Sequence, residues 1–561
     1  MDRLDAQSVA NLLDELGRRL ELTGESSFKV RAYHNGAEAL RALDVPLADL
    51  IANRRLESLP GVGKALSEKI QSFHKTGTHL MLERLRSEVP DGLLELFALP
   101  GLGAKKVLAL RDAGIVGLDA LEAAIDDGRV AGLKGFGPKL AASLKAALPF
   151  ARGAQGRRRM PEADAALAQA LEKIRSWPGV ERAEAAGEAR RRCESVGTLE
   201  AAAATTDPAA LAERARALSG VRVIAADPKR FGAALVCASS APAHLEGLRR
   251  RAAKFGITLG PDGALRDGKP CPTPDEASVY ALLELPPIAP ELREGLGEIE
   301  AAEAGKLPKL LEERDLKGIL HCHSTYSDGT QSVAQMAEAA RALGMRYFGI
   351  ADHSQSARYA GGLTPERVLQ QHAEVDELNA RYASGGVDFR IFKGIESDIR
   401  EDGSLDYDDA LLARFDFVVA SVHSQFQLDL EAQTKRICRA AAHPACTILG
   451  HPTGRLLLKR EGYALDMDRV LAACAKHGVA VEINAHPYRL DLDWRWHRRA
   501  LELGAWLSVN PDAHETGELP MRYGVDMARK GGVSAERVLN ALDRGGLEAW
   551  LERKRKQASK R

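Results

Sequence analysis

From about residue 316 to the end of the chain, short apolar runs alternate with amphipathic stretches seven times, and no other feature constrains the fold as strongly. The runs are "GILHCH" (318–323), "YFGIADH" (347–353), "DFRIFKGIE" (388–396), "DFVVASVH" (416–423), "CTILGH" (446–451), "VAVEIN" (479–484) and "WLSVNPDAH" (506–514). Between them lie stretches of helical period such as "SVAQMAEAARALG" and "MDRVLAACAKHG". Strands that alternate with helices predict a β/α barrel of parallel strands, whose C-terminal ends open on one mouth. His321 and His323 end the first run, Asp328 lies in the loop after it, and His353 ends the second. Glu396 closes the third, His423 the fourth, His451 the fifth, and Asp512 with His514 the seventh. A lone histidine at a strand end is an ordinary loop residue. Nine ligand-type side chains on six of seven strand ends are a metal-ligand set. Six imidazoles, three carboxylates and no thiolate suit Mn²⁺, Zn²⁺ or Fe²⁺. Cys322 alternates away from its two neighbours and reads as packing. His372, His443, His477 and His497 lie in helical stretches and read as structural.

The first 150 residues are helical by period, and one pattern recurs in them three times: "LPGVGKALSEKI" from Leu59, "LPGLGAKKVLAL" from Leu99 and "LKGFGPKLAASL" from Leu133. Each is an apolar residue, a G-x-G turn and a helix with a base near its start. Gly61 and Gly63, Gly101 and Gly103, and Gly135 and Gly137 permit a tight turn and close approach to a partner. The helix N-terminus that follows offers free N–H groups to a phosphate oxygen, and Lys64, Lys105, Lys106 and Lys139 add charge there. Three copies with the same flanking leucine point to phosphate binding, and the pattern resembles the helix-hairpin-helix motif, which grips the DNA sugar–phosphate backbone without reading sequence.

A chain of 561 residues is too long for one core and implies three to five domains. Charge does not advertise a nucleic-acid binder, since 78 acidic residues balance 78 basic ones. Residues 1–160 hold 24 Lys and Arg against 20 Asp and Glu, and "ARGAQGRRRM" (151–160) is locally basic. No apolar run is long enough to span a bilayer, and the amphipathic N-terminus lacks the h-region of a signal peptide. Seven cysteines without a CxxC pair point to reduced thiols and a cytoplasmic setting.

Several segments together resemble the bacterial family X DNA polymerases that carry a C-terminal PHP (polymerase and histidinol phosphatase) domain. They are "FKVRAY" (28–33), the three hairpins, "GEARRRCESVGTLEAAAA" (187–204), "RFGAAL" (230–235) and "APELREGLGEIEAAEAGKLPKLL" (289–311). In the barrel they are "HCHSTYSDG", "ADHS", "GIE", "SVHS", "GHPTGR" and "NPDAH". The resemblance covers essentially the whole chain. It implies a helical DNA-binding domain over 1–93, a fingers-like region over 94–150, a basic linker over 151–160, a nucleotidyltransferase palm over 161–247, a thumb-like domain and linker over 248–315, and a (β/α)7 PHP barrel over 316–561. It implies helix-hairpin-helix contacts to DNA, and two or three divalent ions on the nine ligands, Mn²⁺ first among them. Glu396 is the expected bridging carboxylate, with His321, His323 and Asp512 beside it at the reacting centre. Arg455 in "GHPTGR" is a candidate phosphate clamp or an ordinary surface arginine.

The palm departs from the family pattern. Relatives carry G-S-x-R-R followed by Asp-x-Asp on a strand and a third Asp on a neighbouring strand, because two Mg²⁺ ions must be clamped there. Here Glu188 replaces the small hydroxyl residue, the Asp-x-Asp positions fall on Thr198 and Glu200, and the third falls on Arg222. Asp207 and Asp227 each precede a proline, which suits turns rather than strand interiors. "VERAEAAG", "GVRVIAA" and "GAALVCA" are the expected strands of this region. The leading reading is a monomeric, metal-dependent 3′→5′ exonuclease on gapped, nicked or 3′-recessed DNA in repair, with polymerase activity lost. A 3′-phosphatase or abasic-site cleavage is the implied side activity. The alternatives are a gap-filling polymerase with an attached exonuclease, a non-catalytic DNA-end binding module, and a small-molecule phosphatase, against which the hairpins count.

Overall fold

The computed structural model describes residues 4–558 apart from Ala42, Asp44 and Ser219. Two compact units divide the chain, one of Met1–Arg157 with Leu458–Arg460 and one of the rest.

The first unit is all helical and has two cores. Helices Ala6–Leu22, Ser27–Arg41, Lys64–Thr76 and Leu80–Glu88 bury Leu13, Leu16, Ile70 and Phe73. Helices Asp91–Phe97, Ala104–Asp112, Leu118–Asp126 and Gly137–Ala154 bury Leu93, Val107, Leu110 and Leu144. The three glycine turns adopt the left-handed backbone the pattern anticipates, with φ of 74° at Gly61, 81° at Gly101 and 89° at Gly135. Gly63 and Gly103 cap the helices that follow. The third copy differs, because Gly137 is itself left-handed and begins its helix ahead of Pro138. That helix runs to Ala154, so the basic stretch expected as a linker over 151–160 is helical at its start. Arg152 lies on it, paired with Asp119 and Glu122.

In the second unit, Val180–Ala186 pairs antiparallel with Leu199–Thr205, which pairs parallel with Val221–Ala226. "GAALVCA", expected as a strand, lies in the helix Phe231–Ala238. Its residues from Phe231 to Val236 are all buried, so no polar face marks a helical period. Gly232 lets the helix touch the neighbouring chain, where a Cβ would stand 2.0 Å from the Asp275 carbonyl oxygen. The helix Pro242–Lys254 and the hairpin strands Ile257–Gly260, Gly263–Arg266 and Lys269–Cys271 follow.

The C-terminal region is a nearly closed barrel of seven parallel strands, Gly318–Leu320, Tyr347–Ile350, Arg390–Asp398, Phe417–Ser421, Ile448–Leu449, Ala480–Asn484 and Trp506–Asn510, in chain order around the sheet. Its first and last strands meet just beyond their ends, where the His323 amide donates to the Ala513 carbonyl over 2.8 Å. Leu320, Tyr347, Phe392, Phe417 and Ile448 fill the interior, against Leu547 and Trp550 of the helix Arg544–Ala558. Ile319, Phe348 and Val418 face outward into the layer of surrounding helices, and Cys322 is buried with them. No helix among the described residues is long and apolar enough to cross a membrane.

Polar ties hold the palm to the barrel. Arg192 pairs with Asp164 over 2.7 Å and with Asp526 over 2.5 Å. Trp494 Nε1 donates to Glu194 over 3.0 Å, and Lys530 Nζ donates to the Arg191 carbonyl over 3.0 Å.

Candidate metal centre

The observed strands are shorter than the apolar runs, so most ligands sit past the strand ends on the loops of one mouth, where they can converge. Glu396 is the exception, inside the long third strand Arg390–Asp398. Three of the nine occupy left-handed backbone, with φ of 89° at His321, 22° at His451 and 53° at Asp512. Strain of that kind persists where surrounding structure enforces it, as at ligand clamps.

Glu396 is fully buried at the centre. Its Oε1 lies 2.9 Å from His451 Nε2, 3.3 Å from His423 Nε2 and 3.4 Å from His321 Nε2. Its Oε2 lies 2.9 Å from His353 Nδ1 and 3.7 Å from His323 Nε2. Asp512 Oδ1 stands 3.0 Å from His323 Nε2 and 3.4 Å from His321 Nε2. At the open edge, the half-exposed Asp328 approaches His514 Nε2 at 3.5 Å and His353 Nε2 at 3.6 Å. These atoms form three overlapping groups: His323, Asp328, His353 and His514; His321, His323 and Asp512; and His353, Glu396 and His423.

The donor set fits divalent cations and is poorly satisfied without them. His321 Nε2, His323 Nδ1, His353 Nδ1, His451 Nδ1 and Glu396 Oε2 are buried with no hydrogen-bond partner. Burying such groups unpaired is unfavourable, and cations among them would satisfy imidazole and carboxylate lone pairs together. The electrostatics agree. Burial opposes the charge on Glu396, yet the surrounding imidazoles hold it well below the usual carboxylate range. Burial likewise opposes Asp328, which nearby histidines nevertheless bring down to about 2. Burial, reinforced by His514 and His353, lowers His323 to about 3, which keeps it a neutral ligand.

Second partners aim the rings. Glu482 accepts from His321 Nδ1 over 2.7 Å, turning Nε2 toward the centre. The other oxygen of Glu482 accepts from the His451 amide over 2.8 Å. Asp398 holds His423 Nδ1 at 2.5 Å. His514 Nδ1 donates to the Asp512 carbonyl over 2.9 Å. Sequence reading did not single out Glu482 or Asp398. The signal available was their period-2 offset from the strand ends in "VEIN" and "IESD".

Arg455, a candidate phosphate clamp or an ordinary arginine, is engaged by protein groups in this geometry. Its Nε donates to the Arg489 carbonyl over 3.0 Å, its Nη1 to Asp493 over 2.6 Å and its Nη2 to the Leu490 carbonyl. The guanidinium is spent bracing a loop, and that loop delivers Arg489, whose Nε lies 3.3 Å from Asp512 Oδ2. Arg489 thus sets a cation beside the cluster, and no motif pointed to it.

Among the hairpin residues, Gly61, Gly63, Lys64, Gly101, Gly103, Lys105, Gly135 and Lys139 are exposed, and Gly137 is half-buried. Lys106 instead folds back, its Nζ donating to the Gly101 carbonyl over 2.9 Å. In the palm, Thr198 is exposed just before its strand. Glu200 and Arg222 are direct cross-strand partners, paired over 2.9 Å. Burial raises the Glu200 carboxyl above its ordinary value, against the opposing effect of Arg222 and Arg191. Glu188 Oε2 accepts from the Gly197 amide over 2.7 Å. Asp207 caps the helix Pro208–Ala215, and Asp227 accepts from the Lys229 amide over 2.9 Å, so both belong to turns.

Four family profiles match: a helix-hairpin-helix domain over 5–79, a SAM-like helix-hairpin-helix tandem over 93–148, a DNA polymerase beta thumb over 234–294 and a PHP domain over 320–486. The thumb match begins within the span that the sequence assigns to the palm. The chain is 35% identical over 575 aligned residues to the DNA polymerase/3′-5′ exonuclease PolX of Bacillus subtilis, covering 98% of this chain and 99% of that protein. It is 28% identical to a probable phosphatase of Edwardsiella ictaluri, over 42% of this chain and 94% of the relative. A probable phosphatase of Thermoanaerobacter sp. matches at 28% identity over 30% of this chain and 70% of its own length. Helical hairpins, a thumb, a PHP barrel with its clustered ligands, and a full-length match to PolX converge, and the chain belongs to the bacterial family X DNA polymerases with a C-terminal PHP domain.

Proposed function

We propose that this chain is a metal-dependent DNA phosphodiesterase, a 3′→5′ exonuclease acting on gapped, nicked or 3′-recessed DNA in repair, and that its palm no longer polymerises. The observation that carries the nuclease reading is the convergence of five imidazoles on the buried Glu396 carboxylate. His321, His323, Asp328, His353, Glu396, His423, His451, Asp512 and His514 would hold two or three divalent ions, with Mn²⁺ the best match to this oxygen and nitrogen set. Bound there, such ions supply hydroxide from water near neutral pH and neutralise charge on the phosphodiester. The protein's own part is positional. Glu396 spans the ligand groups, and His321, His323 and Asp512 fix the centre beside it. Glu482 and Asp398 lock the rings, and Arg489 sets a cation at the rim. A 3′-phosphatase or abasic-site cleavage would draw on the same groups. The exposed hairpin turns suit a DNA backbone, and the free cysteines suit a reducing cytoplasm. We take the working form to be a monomer.

Loss of polymerase activity rests on charge. Where the family clamps two Mg²⁺ ions, Thr198 brings no charge and Glu200 is engaged by Arg222. The arginines of the preceding turn are also occupied. Arg190 pairs with Glu184 and Glu276, Arg191 with Glu294, and Arg192 with Asp164 and Asp526. A second reading, a working polymerase joined to the exonuclease, is backed better by the comparisons, because the full-length relative from Bacillus subtilis is named for both activities.

The test uses a 5′-labelled primer beside a one-nucleotide gap, with Mn²⁺ and with or without dNTPs, for the wild type and for His321→Ala/His323→Ala. Shortening by the wild type alone, with no extension by either, supports the exonuclease without polymerase. Extension by the double variant establishes the second reading. A wild type inert on DNA but active on small phosphomonoesters would move the chain to the phosphatases.

A further inference from the structure

Tyr359 stands beside the metal centre with 72% of its surface exposed. Its ring centroid lies 6.0 Å from that of His353 and 6.4 Å from that of His423, so the ring borders two ligands of the cluster. An exposed tyrosine on a loose loop would mean little, but this loop is pinned. At its start, Ser354 Oγ accepts from the Asp398 amide over 3.0 Å, and the Ser356 amide donates to Asp406 over 2.6 Å. At its end, the Leu363 amide donates to the His353 carbonyl over 2.9 Å, and the Tyr407 hydroxyl donates to the Leu363 carbonyl over 2.5 Å. Gly361 turns the chain with a φ of 68°. At Gly362 the backbone approaches itself so closely that a Cβ would lie 1.9 Å from the Ser354 carbonyl oxygen. Nothing in this arrangement buries the ring, although burial is the ordinary fate of an aromatic side chain.

The other rim element is Arg489, held 3.3 Å from Asp512 by a loop that Arg455 braces. A flat aromatic face and a fixed guanidinium beside a phosphodiester-cleaving cluster match the parts of one nucleotide. The base has a π-face for the ring, and the phosphate has oxygens for the guanidinium.

We propose that Tyr359 and Arg489 form the subsite for the nucleotide next to the scissile phosphodiester, its base stacked on Tyr359 and its phosphate steadied by Arg489. The proposal rests on the phosphodiesterase reading above and adds what that site recognises. Stacking is blind to base identity, because every base has a π-face, so the subsite takes any nucleobase and holds an end that has none less tightly, which leaves abasic cleavage by the same cluster as the reaction of higher KM.

The experiment compares two 5′-labelled DNA strands with the full-length, Mn²⁺-loaded protein, one ending in an ordinary nucleotide and one in a tetrahydrofuran abasic residue. The wild type should show a KM about 5- to 100-fold lower for the base-bearing end, the range expected of one stacked base. Tyr359→Ala should collapse that ratio toward one, acting on KM more than on kcat. Tyr359→Phe and Tyr359→Trp should restore it, and bound Mn²⁺ should be equal in all four proteins. Arg489→Met should raise KM for both ends alike. Equal wild-type KM for the two ends, a Tyr359→Ala variant that keeps the preference, or failure of the Phe variant to restore it overturns the subsite. No shortening of either end by the wild type overturns the exonuclease reading, and the subsite falls with it.

Discussion

Glu482 is fully buried, and its carboxylate serves the cluster by holding the residues that line it. One oxygen fixes His321 and accepts from Asn510 over 3.0 Å, while the other accepts from the His451 amide and from Asn484 over 3.2 Å. Glu482→Gln keeps the shape but weakens the acceptor that orients His321. Metal affinity and exonuclease rate should both fall by about 10- to 100-fold, read by Mn²⁺ titration beside primer shortening. Glu396→Gln should abolish shortening outright, whereas Asp328→Asn, at the half-exposed edge, should leave measurable activity at raised Mn²⁺. The nine residues of the cluster are legible in sequence because each is a ligand type placed where a parallel barrel must converge. The partners that aim them are not, since Glu482 and Asp398 read as ordinary acids until the strand register places them. Arg455 and Arg489 show the same limit. Thirty-four residues apart, both carry the charge a phosphate clamp needs, and only the path of the loop after the strand Ala480–Asn484 decides which guanidinium is spent on that loop and which reaches the cluster.

Alternation fixed the barrel strands well because amphipathic helices such as Val333–Ala342, Leu430–Ala442 and Met467–His477 lie between them, with a period that is unmistakable. The helix Phe231–Ala238 escaped because it is buried all round, and an apolar run of that length suits strand or helix equally. Gly232 is the position that commits it to contact with the Asp275 backbone. Gly232→Val should lower stability by about 1–3 kcal/mol through overpacking, read by denaturant unfolding. The long barrel helix Pro365–Ser384 carries another test at His372, packed edge-on to Phe415 at 4.9 Å. Burial, with Lys393 and Arg414 nearby, lowers this imidazole to about 4, against an ordinary value of 6.5. The unfolded chain therefore takes up its proton first as pH falls, and stability drops between about pH 6.5 and pH 4. His372→Phe should flatten that part of the profile relative to the wild type, measured as the difference in unfolding midpoint across the window.

At the scale of the molecule, the palm is bolted to the barrel by charged side chains. Arg192 carries the central bolt between Asp164 and Asp526. Arg192→Ala leaves two acids without their shared partner, so the palm should become more sensitive to limited proteolysis and unfold at lower denaturant. Bound Mn²⁺ should stay near the wild-type amount. The barrel's own closure carries a different consequence. Its first and last strands are joined by a hydrogen bond from His323 to Ala513, and its ligands run from His321 to His514, so the first and the last of them are made nearly two hundred residues apart during synthesis. A ribosome that stalls anywhere in that interval releases the helical hairpins with a ligand set that cannot close. The ligand set is thereby all or nothing: a chain truncated within that interval keeps the hairpins but carries no complete cluster.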